Sequence, residues 1–319
     1  MTSQDRPILV FDGLNCFMRH FCANPTMSEH GEHKGGFVGF LKSIGPLCNQ
    51  FRPSKVIVVW ESGGNHKRMA ISGGTYKGGS RPRSLNRYYE EDIPDTRENH
   101  NNQMALTIEA LKNLPVNQLY IKDTEADDVI SYICKYKFPE SKIVVVSSDK
   151  DLYQLIDHRV SQWSLNQKKL IDRNEVKEKH GFYPENLVTA RCFTGDDSDS
   201  IPGIKGAGFK TLLKRFPELG GEEHVSVSQV IESARFQSSS NVALFKEILL
   251  KEEHIKKNWK LMYLDISRFN GDQIKKLEHQ LETPTPQPNK INLLRILSRE
   301  GLKGVEIDST FTSIKAVIS

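Results

Sequence analysis

Cysteine is sparse and unpatterned in this chain of 319 residues. Its five cysteines, Cys16, Cys22, Cys48, Cys134 and Cys192, show no Cys-x-x-Cys spacing. That argues against a zinc site and a disulfide framework and favours a reducing compartment. Long apolar runs are missing as well. The opening MTSQDRPILVFDG passes directly into a strand pattern without a signal-peptide core, and no run approaches the ~20 apolar residues needed to cross a bilayer. A cytoplasmic protein with no membrane partner is expected. There is no internal repeat. Acidic charge is missing locally: between Ser62 and Tyr89 not one Asp or Glu occurs. The net charge is only +4, so a polyanion partner would have to be met by clustered positive charge.

What is present concentrates between Ile121 and Leu155. IKDTEADDVISYI and SKIVVVSSDKDLYQL bring Glu125, Asp127, Asp128, Asp149 and Asp151 close together in the chain. Ile143 to Val146 reads as a buried parallel strand followed by a polar, helix-capping stretch. Asp149 and Asp151 then lie at the carboxyl end of a sheet, where open α/β sheets bind ligands. Thr124 or Asp123 is expected to cap a helix starting near Glu125, with Glu125 and Asp128 on one face. One such acidic pair could merely complement a helix dipole. Two clusters at one edge repel and raise each other's pKa unless a cation offsets them, and a divalent metal is the simplest.

Three further strand patterns end the same way. Pro7 to Phe11 runs into Asp12, Val56 to Trp60 into Glu61, and Gln118 to Ile121 toward Glu125. Helical patterns intervene, which predicts an α/β fold with a doubly wound parallel sheet. A further strand is expected at 160–165 and short helices at 175–180 and 187–193. The basic stretch after Glu61 carries Lys67, Arg68, Lys77, Arg81, Arg83 and Arg87 with Tyr76, Tyr88 and six glycines. It reads either as a solvated loop or as a clamp for a phosphate backbone and unpaired bases. Asp196 and Asp199 precede IPGIKGAGFK, and this acidic loop lacks the register of an EF-hand. Gly203, Gly206 and Gly208 with Lys205 and Lys210 form a glycine-rich turn that opens a helix, suited to a phosphate or simply to a tight turn. Residues 242–263 form the strongest amphipathic segment. TPTPQP at 283–288 reads as an extended linker before a helix at 291–299 and a tail, which either packs on the body or docks a partner.

Taken together, these stretches resemble the structure-specific 5′-nucleases: flap endonucleases, the 5′-exonuclease domain of bacterial DNA polymerase I, and the ribonuclease H and 5′-exonuclease proteins of tailed phages. The resemblance is carried by FDGLN at 11–15, YK at 76–77 with Arg81, EADD at 125–128, SSDKDL at 147–152 and GDDSDSIPGIKGAG at 195–208. It implies a PIN/flap-endonuclease-like parallel-sheet core at 1–180, a helical arch within 62–103, a helix-three-turn-helix region for DNA at 181–282, and a Pro-rich linker and tail at 283–319. It further implies that Asp12, Glu61, Asp128 and Asp149 surround one Mg2+ and that Asp151, Asp196 and Asp199 surround a second, with Mn2+ able to substitute. Glu125, joined by Asp127, would hold metal-bound water. Lys77 and Arg81 would contact the scissile phosphate, Tyr76 would stack on a displaced base, and Arg83, Arg87, Gly203, Lys205, Gly206, Gly208 and Lys210 would hold nucleic acid, with K+ at the helix-three-turn-helix. Position 61 departs from the family by carrying Glu in place of Asp, and the spacing leaves Arg83 competing with Arg81.

The activity expected from this resemblance is two-metal hydrolysis of DNA and RNA–DNA hybrids from a 5′ end or at a 5′ flap, serving RNA primer removal in replication. The size and layout are closest to the phage members, acting in the host cytoplasm as a monomer. A single-stranded-DNA-binding protein, polymerase or clamp is the expected partner of the C-terminal region. Two rivals stand beside this reading: a non-catalytic junction-binding protein of the same fold, and a PIN-type RNA endonuclease.

Overall fold

The computed structural model describes residues 6–61, 63, 66–76, 97–239, 242–315 and 317. Six strands form one sheet: β1 Ile8–Asp12, β2 Lys55–Trp60, β3 Asn117–Tyr120, β4 Ile143–Val146, β5 Val160–Ser164 and β6 Lys169–Ile171. Their order is β3-β2-β1-β4-β5-β6. The first five run parallel, and β6 pairs antiparallel with β5. β6 has no counterpart in the sequence reading. It is three residues long, with two exposed, too short to show an alternation, and it follows a turn with Lys168 at φ 50°.

Alternation along the central strands explains why both faces are covered. Leu9, Phe11, Val56, Val58, Val144 and Val146 enter one core, together with residues of the helices Gly13–Ala23, Gly35–Phe51 and Arg97–Leu111. Ile8, Val10, Ile57, Val59, Ile143 and Val145 enter another, against the helices Ala126–Tyr132 and Gly271–Glu282. Because both faces are buried, these strands read as unbroken apolar runs. A third core lies beyond the sheet and joins the helices Arg173–His180, Pro184–Thr194, Phe209–Arg215, Val227–Phe236 and Ala243–Leu250.

Two expectations change. The amphipathic segment at 242–263 is two helices, Ala243–Leu250 and Glu252–Met262, broken at Lys251. The Pro-rich stretch does not separate the last helices from the body. Asn117 donates to the Thr283 carbonyl (3.1 Å) and accepts from the Thr285 hydroxyl (2.9 Å), so the stretch lies along the β3 edge. Leu293, Ile296 and Leu297 of the helix Lys290–Arg299 then join the core around Phe11 and Phe40. No helix among the described residues is long and apolar enough to cross a membrane.

The sheet order has a functional consequence. From β1 the chain winds outward through β2 and β3, then returns to β4 on the other side of β1. Asp12 and the SSDKD stretch therefore meet at the switch point, at the carboxyl ends of adjacent strands, where such folds open a crevice.

Candidate active site

Asp12 ends β1 and caps the helix Gly13–Ala23 by accepting from the Asn15 amide (3.2 Å). One side chain thus ends a strand, starts a helix and lines the sheet edge. The Ser147 hydroxyl donates to Asp12 (3.0 Å) and itself accepts from the Asp149 amide (3.0 Å). Asn15 accepts from the Ser148 amide (3.0 Å), fixing the two strand ends together. Burial raises the Asp12 pKa from 3.8 to about 7, with Asp149 and Glu61 adding like charge against the lowering effect of its two hydrogen bonds. Asp149 is raised too, first by burial and then by Asp151. Both want a cation, because desolvation and like charge penalise the ionised form.

Glu125 and Asp128 share a face, as their spacing implied, but the residue between them and solvent is an arginine. Arg68, on the short helix His66–Ser72, donates both terminal nitrogens to Asp128 (2.8 and 2.9 Å) and also pairs with Glu125. Its Nε donates to the Leu261 carbonyl (3.0 Å). The guanidinium and both carboxylates are about 95% buried. Arg68 was expected to serve a basic clamp; the structure instead places it inside the acidic edge as a counter-charge. The cap also differs: Glu125 occupies the N-cap position without a capping bond, while Asp123 has φ 57° and Thr124 donates to the Lys122 carbonyl.

The second acidic cluster closes more tightly. Oxygens of Asp151, Asp196 and Asp199 all lie within 4.8 Å of one another, the one such carboxylate triad among the described residues. Asp12, Glu61, Asp128 and Asp149 do not close in this way. Arg191, on the helix Pro184–Thr194, donates to Asp151 (2.6 Å) and pairs with Asp196. The loop holding the triad is drawn shut by Gly195 and Gly203. A Cβ on Gly195 would lie 2.4 Å from the Gly203 nitrogen, and one on Gly203 would lie 2.1 Å from the Thr194 carbonyl oxygen. Gly203 is therefore a close-packing residue of the loop that carries Asp196 and Asp199. Gly206 has φ 83° and Gly208 caps the helix Phe209–Arg215, both facing open space, with Lys205 and Lys210 exposed beside them.

Tyr76 departs from the expectation of a base-stacking platform. Its ring is 5% exposed, packed with Ile201 and Leu261, and its hydroxyl lies 3.2 Å from an Asp199 oxygen. A ring so covered has no free face for a base. Lys77, Arg81, Arg83 and Arg87 lie outside the described residues. Lys67 donates to the Ser267 and Arg268 carbonyls (3.2 and 2.5 Å).

An open cleft lies beside the triad, lined by Asn15, Asp127, Asp149, Lys150 and His180 in addition to Arg191 and the triad. The converging carboxylates fit a hard divalent cation. The triad supplies three converging carboxylates for one ion. Asp149 lines the same cleft, with Asp12 behind it, joined through the Ser147 hydroxyl. The sequence reading missed the bridging roles of Arg68 and Arg191. Arg68 lay within a basic run and Arg191 between apolar residues, so neither stood out as a partner of acids distant in the chain.

The profile of a family described as "5'-3' exonuclease, N-terminal resolvase-like domain" matches residues 7–181. The 5'-3' exonuclease of Aquifex aeolicus is 26% identical over 90% of this chain and 90% of its own length. DNA polymerase I of Deinococcus radiodurans is 31% identical over 79% of this chain but only 24% of its own. Among solved structures, the T5 D15 protein co-crystallised with metal ions superposes with a TM-score of 0.70 at 21% identity, covering 87% of this chain and 99% of that one. Human GEN1 in complex with Holliday junction DNA follows at 0.53 and 15% identity. The α/β core with its acids at the switch point, together with a family match spanning more than half of the sequence, makes this chain a member of the 5'-3' exonuclease family.

Proposed function

We propose that this protein is a divalent-metal-dependent phosphodiesterase that cuts DNA and RNA–DNA hybrids at a 5′ end or a 5′ flap junction, and that it removes RNA primers during replication. The observation that carries the reading is the meeting of Asp149 and Asp151 with the Asp196–Asp199 loop in one cleft, with Asp12 bridged to Asp149 through the Ser147 hydroxyl. Two bound Mg2+ or Mn2+ ions would supply a water of lowered pKa and neutralise charge on both the attacking and leaving oxygens. Asp151, Asp196 and Asp199 would hold one ion; Asp12, Glu61 and Asp149 would hold the other, while Asp128, expected among its ligands, has both oxygens taken by Arg68. Glu125, fixed by Arg68, would orient water at the second of these sites, with Asp127 beside it. Lys77 and Arg81 would stabilise charge developing on the phosphate. Lys205 and Lys210, exposed beside Gly206 and Gly208, would grip the duplex on the 3′ side of the cut by its backbone.

The structural neighbours support a nucleic acid substrate: T5 D15 flap endonuclease was crystallised as a pseudo-enzyme-product complex with DNA and metal ions. The test is cleavage of a 5′-labelled flap DNA and of a matched RNA-primed duplex, each with Mg2+ and with EDTA. Metal-dependent products at the junction or the 5′ end are expected, and the ratio of the two substrates reports the RNA preference. Tight binding without products in Mg2+ or Mn2+ would overturn the enzymatic reading and leave a junction-binding protein.

A further inference from the structure

Arg191 reaches the acidic triad from the helix Pro184–Thr194, around the turn at Gly195. Its Nη1 lies 2.6 Å from Asp151 Oδ1, and its Nη2 pairs with Asp196 Oδ2. The other oxygen of Asp196 is already engaged: the Ser198 amide and hydroxyl both donate to Oδ1, at 2.8 and 2.7 Å. The oxygen that Asp196 has left for a cation is therefore the one under the guanidinium. The Arg191 side chain is 16% exposed and lines the open cleft, which gives the guanidinium a way out.

We infer that Arg191 is the resident counter-cation of the Asp151–Asp196–Asp199 site and that a divalent ion binds there only by displacing its guanidinium. This rests on the reading that the triad holds a metal. Three carboxylates this close need positive charge to coexist. Arg191 supplies it within the folded chain, so the arriving ion gains only the difference between its own attraction and that of the arginine. The affinity of this site is thereby set low, and part of its negative charge is offset before metal arrives. Arg68 does not play the same part: it is buried and anchored to a backbone carbonyl as well as to its acids, so it stays in place.

The experiment is Mn2+ binding to the full chain without nucleic acid, followed by calorimetry and by the electron paramagnetic resonance of free Mn2+, in wild type, Arg191→Gln, Arg191→Lys and Asp199→Asn. The expected result is one class of site that Asp199→Asn weakens and Arg191→Gln tightens by about tenfold, since one positive charge within ~4 Å is removed. Arg191→Lys, which keeps the charge but cannot span both carboxylates, falls between. In EDTA the Arg191→Gln protein melts below wild type, and Mn2+ raises its melting temperature by more than it raises wild type. If Arg191→Gln does not fold, Arg191→Lys carries the test, and an affinity equal to wild type overturns the inference. An unchanged affinity in Arg191→Gln, with Asp199→Asn still weakening that class, overturns the role of Arg191 and leaves the metal reading standing. Mn2+ binding that is indifferent to Asp199→Asn removes both.

Discussion

Two acidic clusters lie at one sheet edge, each met by one arginine, and they are built differently. Glu125 and Asp128 meet Arg68 in a pocket closed to solvent, with bidentate geometry and a third bond to the Leu261 carbonyl. Asp151, Asp196 and Asp199 meet Arg191 at the wall of an open cleft, where the guanidinium bridges two acids. The first is a buried ion pair whose loss leaves charge stranded in low dielectric. The second is partly exposed, with Asp151 at 28% and Arg191 at 16%, and borders the cleft. A pair sealed from water and a pair open to a cleft make opposite demands on burial, and the two clusters divide them.

The comparison is broken most forcefully at Arg68. Arg68→Ala should destabilise the metal-free protein by about 3–5 kcal/mol, because two buried carboxylates lose their partner; urea unfolding in EDTA measures it. A loss under ~1 kcal/mol would mean that water reaches the pair and the two clusters are alike. Asp199→Asn comes next. It keeps the shape and an acceptor for the Tyr76 hydroxyl while removing a charge from the triad. Metal-dependent cleavage should fall by more than about a hundredfold, beyond what losing a group that only supports a ligand costs, with unfolding nearly unchanged.

Gly203→Ala probes how the triad is closed. With a Cβ 2.1 Å from the Thr194 carbonyl oxygen, the backbone must shift, at a cost of about 1–3 kcal/mol. Gly208→Ala, facing open space, should cost well under ~1 kcal/mol. Equal melting temperatures for the two variants would show that the loop is not held by that contact.

The smallest effect is a pH dependence. Asp12 titrates at about 7 in the folded chain against 3.8, so between those values the folded state binds more protons than the unfolded one. Stability of the metal-free protein should therefore fall as pH rises from about 4 to about 7, and be flat in this respect below that window. Asp12→Asn should lessen the slope. Divalent metal should abolish it by favouring the carboxylate. A melting temperature that climbs through the same window without metal would contradict the burial of Asp12.

How much of this was legible in the chain depends on whether the information is local. Ile8–Asp12, Lys55–Trp60 and Ile143–Val146 declare themselves because strands buried on both faces must be apolar throughout. The acids that follow them are next in sequence, so their shared edge follows once the strands run parallel. β6 was not legible, since two of its three side chains are exposed. Nor was the packing of the last helices: TPTPQP has the composition of a linker, and only its bonds to Asn117 show that it is held along β3. At the site, Asp151, Asp196 and Asp199 were grouped in advance and do converge. Arg68 and Arg191 were not assigned to the acids, because an arginine in a basic run or an apolar helix carries no mark of a partner 60 or 40 residues away. Tyr76 was read as an exposed aromatic, and packing against Ile201 and Leu261 decided otherwise.

The sequence alone determined the position and type of the central strands, the end of the sheet at which carboxylates collect, and the acidic character of the cleft. Those properties follow from side-chain periodicity and from residues adjacent in the chain. Tertiary structure alone decided which carboxylates border an open cleft and which are sealed against an arginine. That choice rests on distance and burial between residues far apart in sequence, since the charge of an Asp is screened by water in a wet cleft and must be met by a fixed partner in a dry pocket.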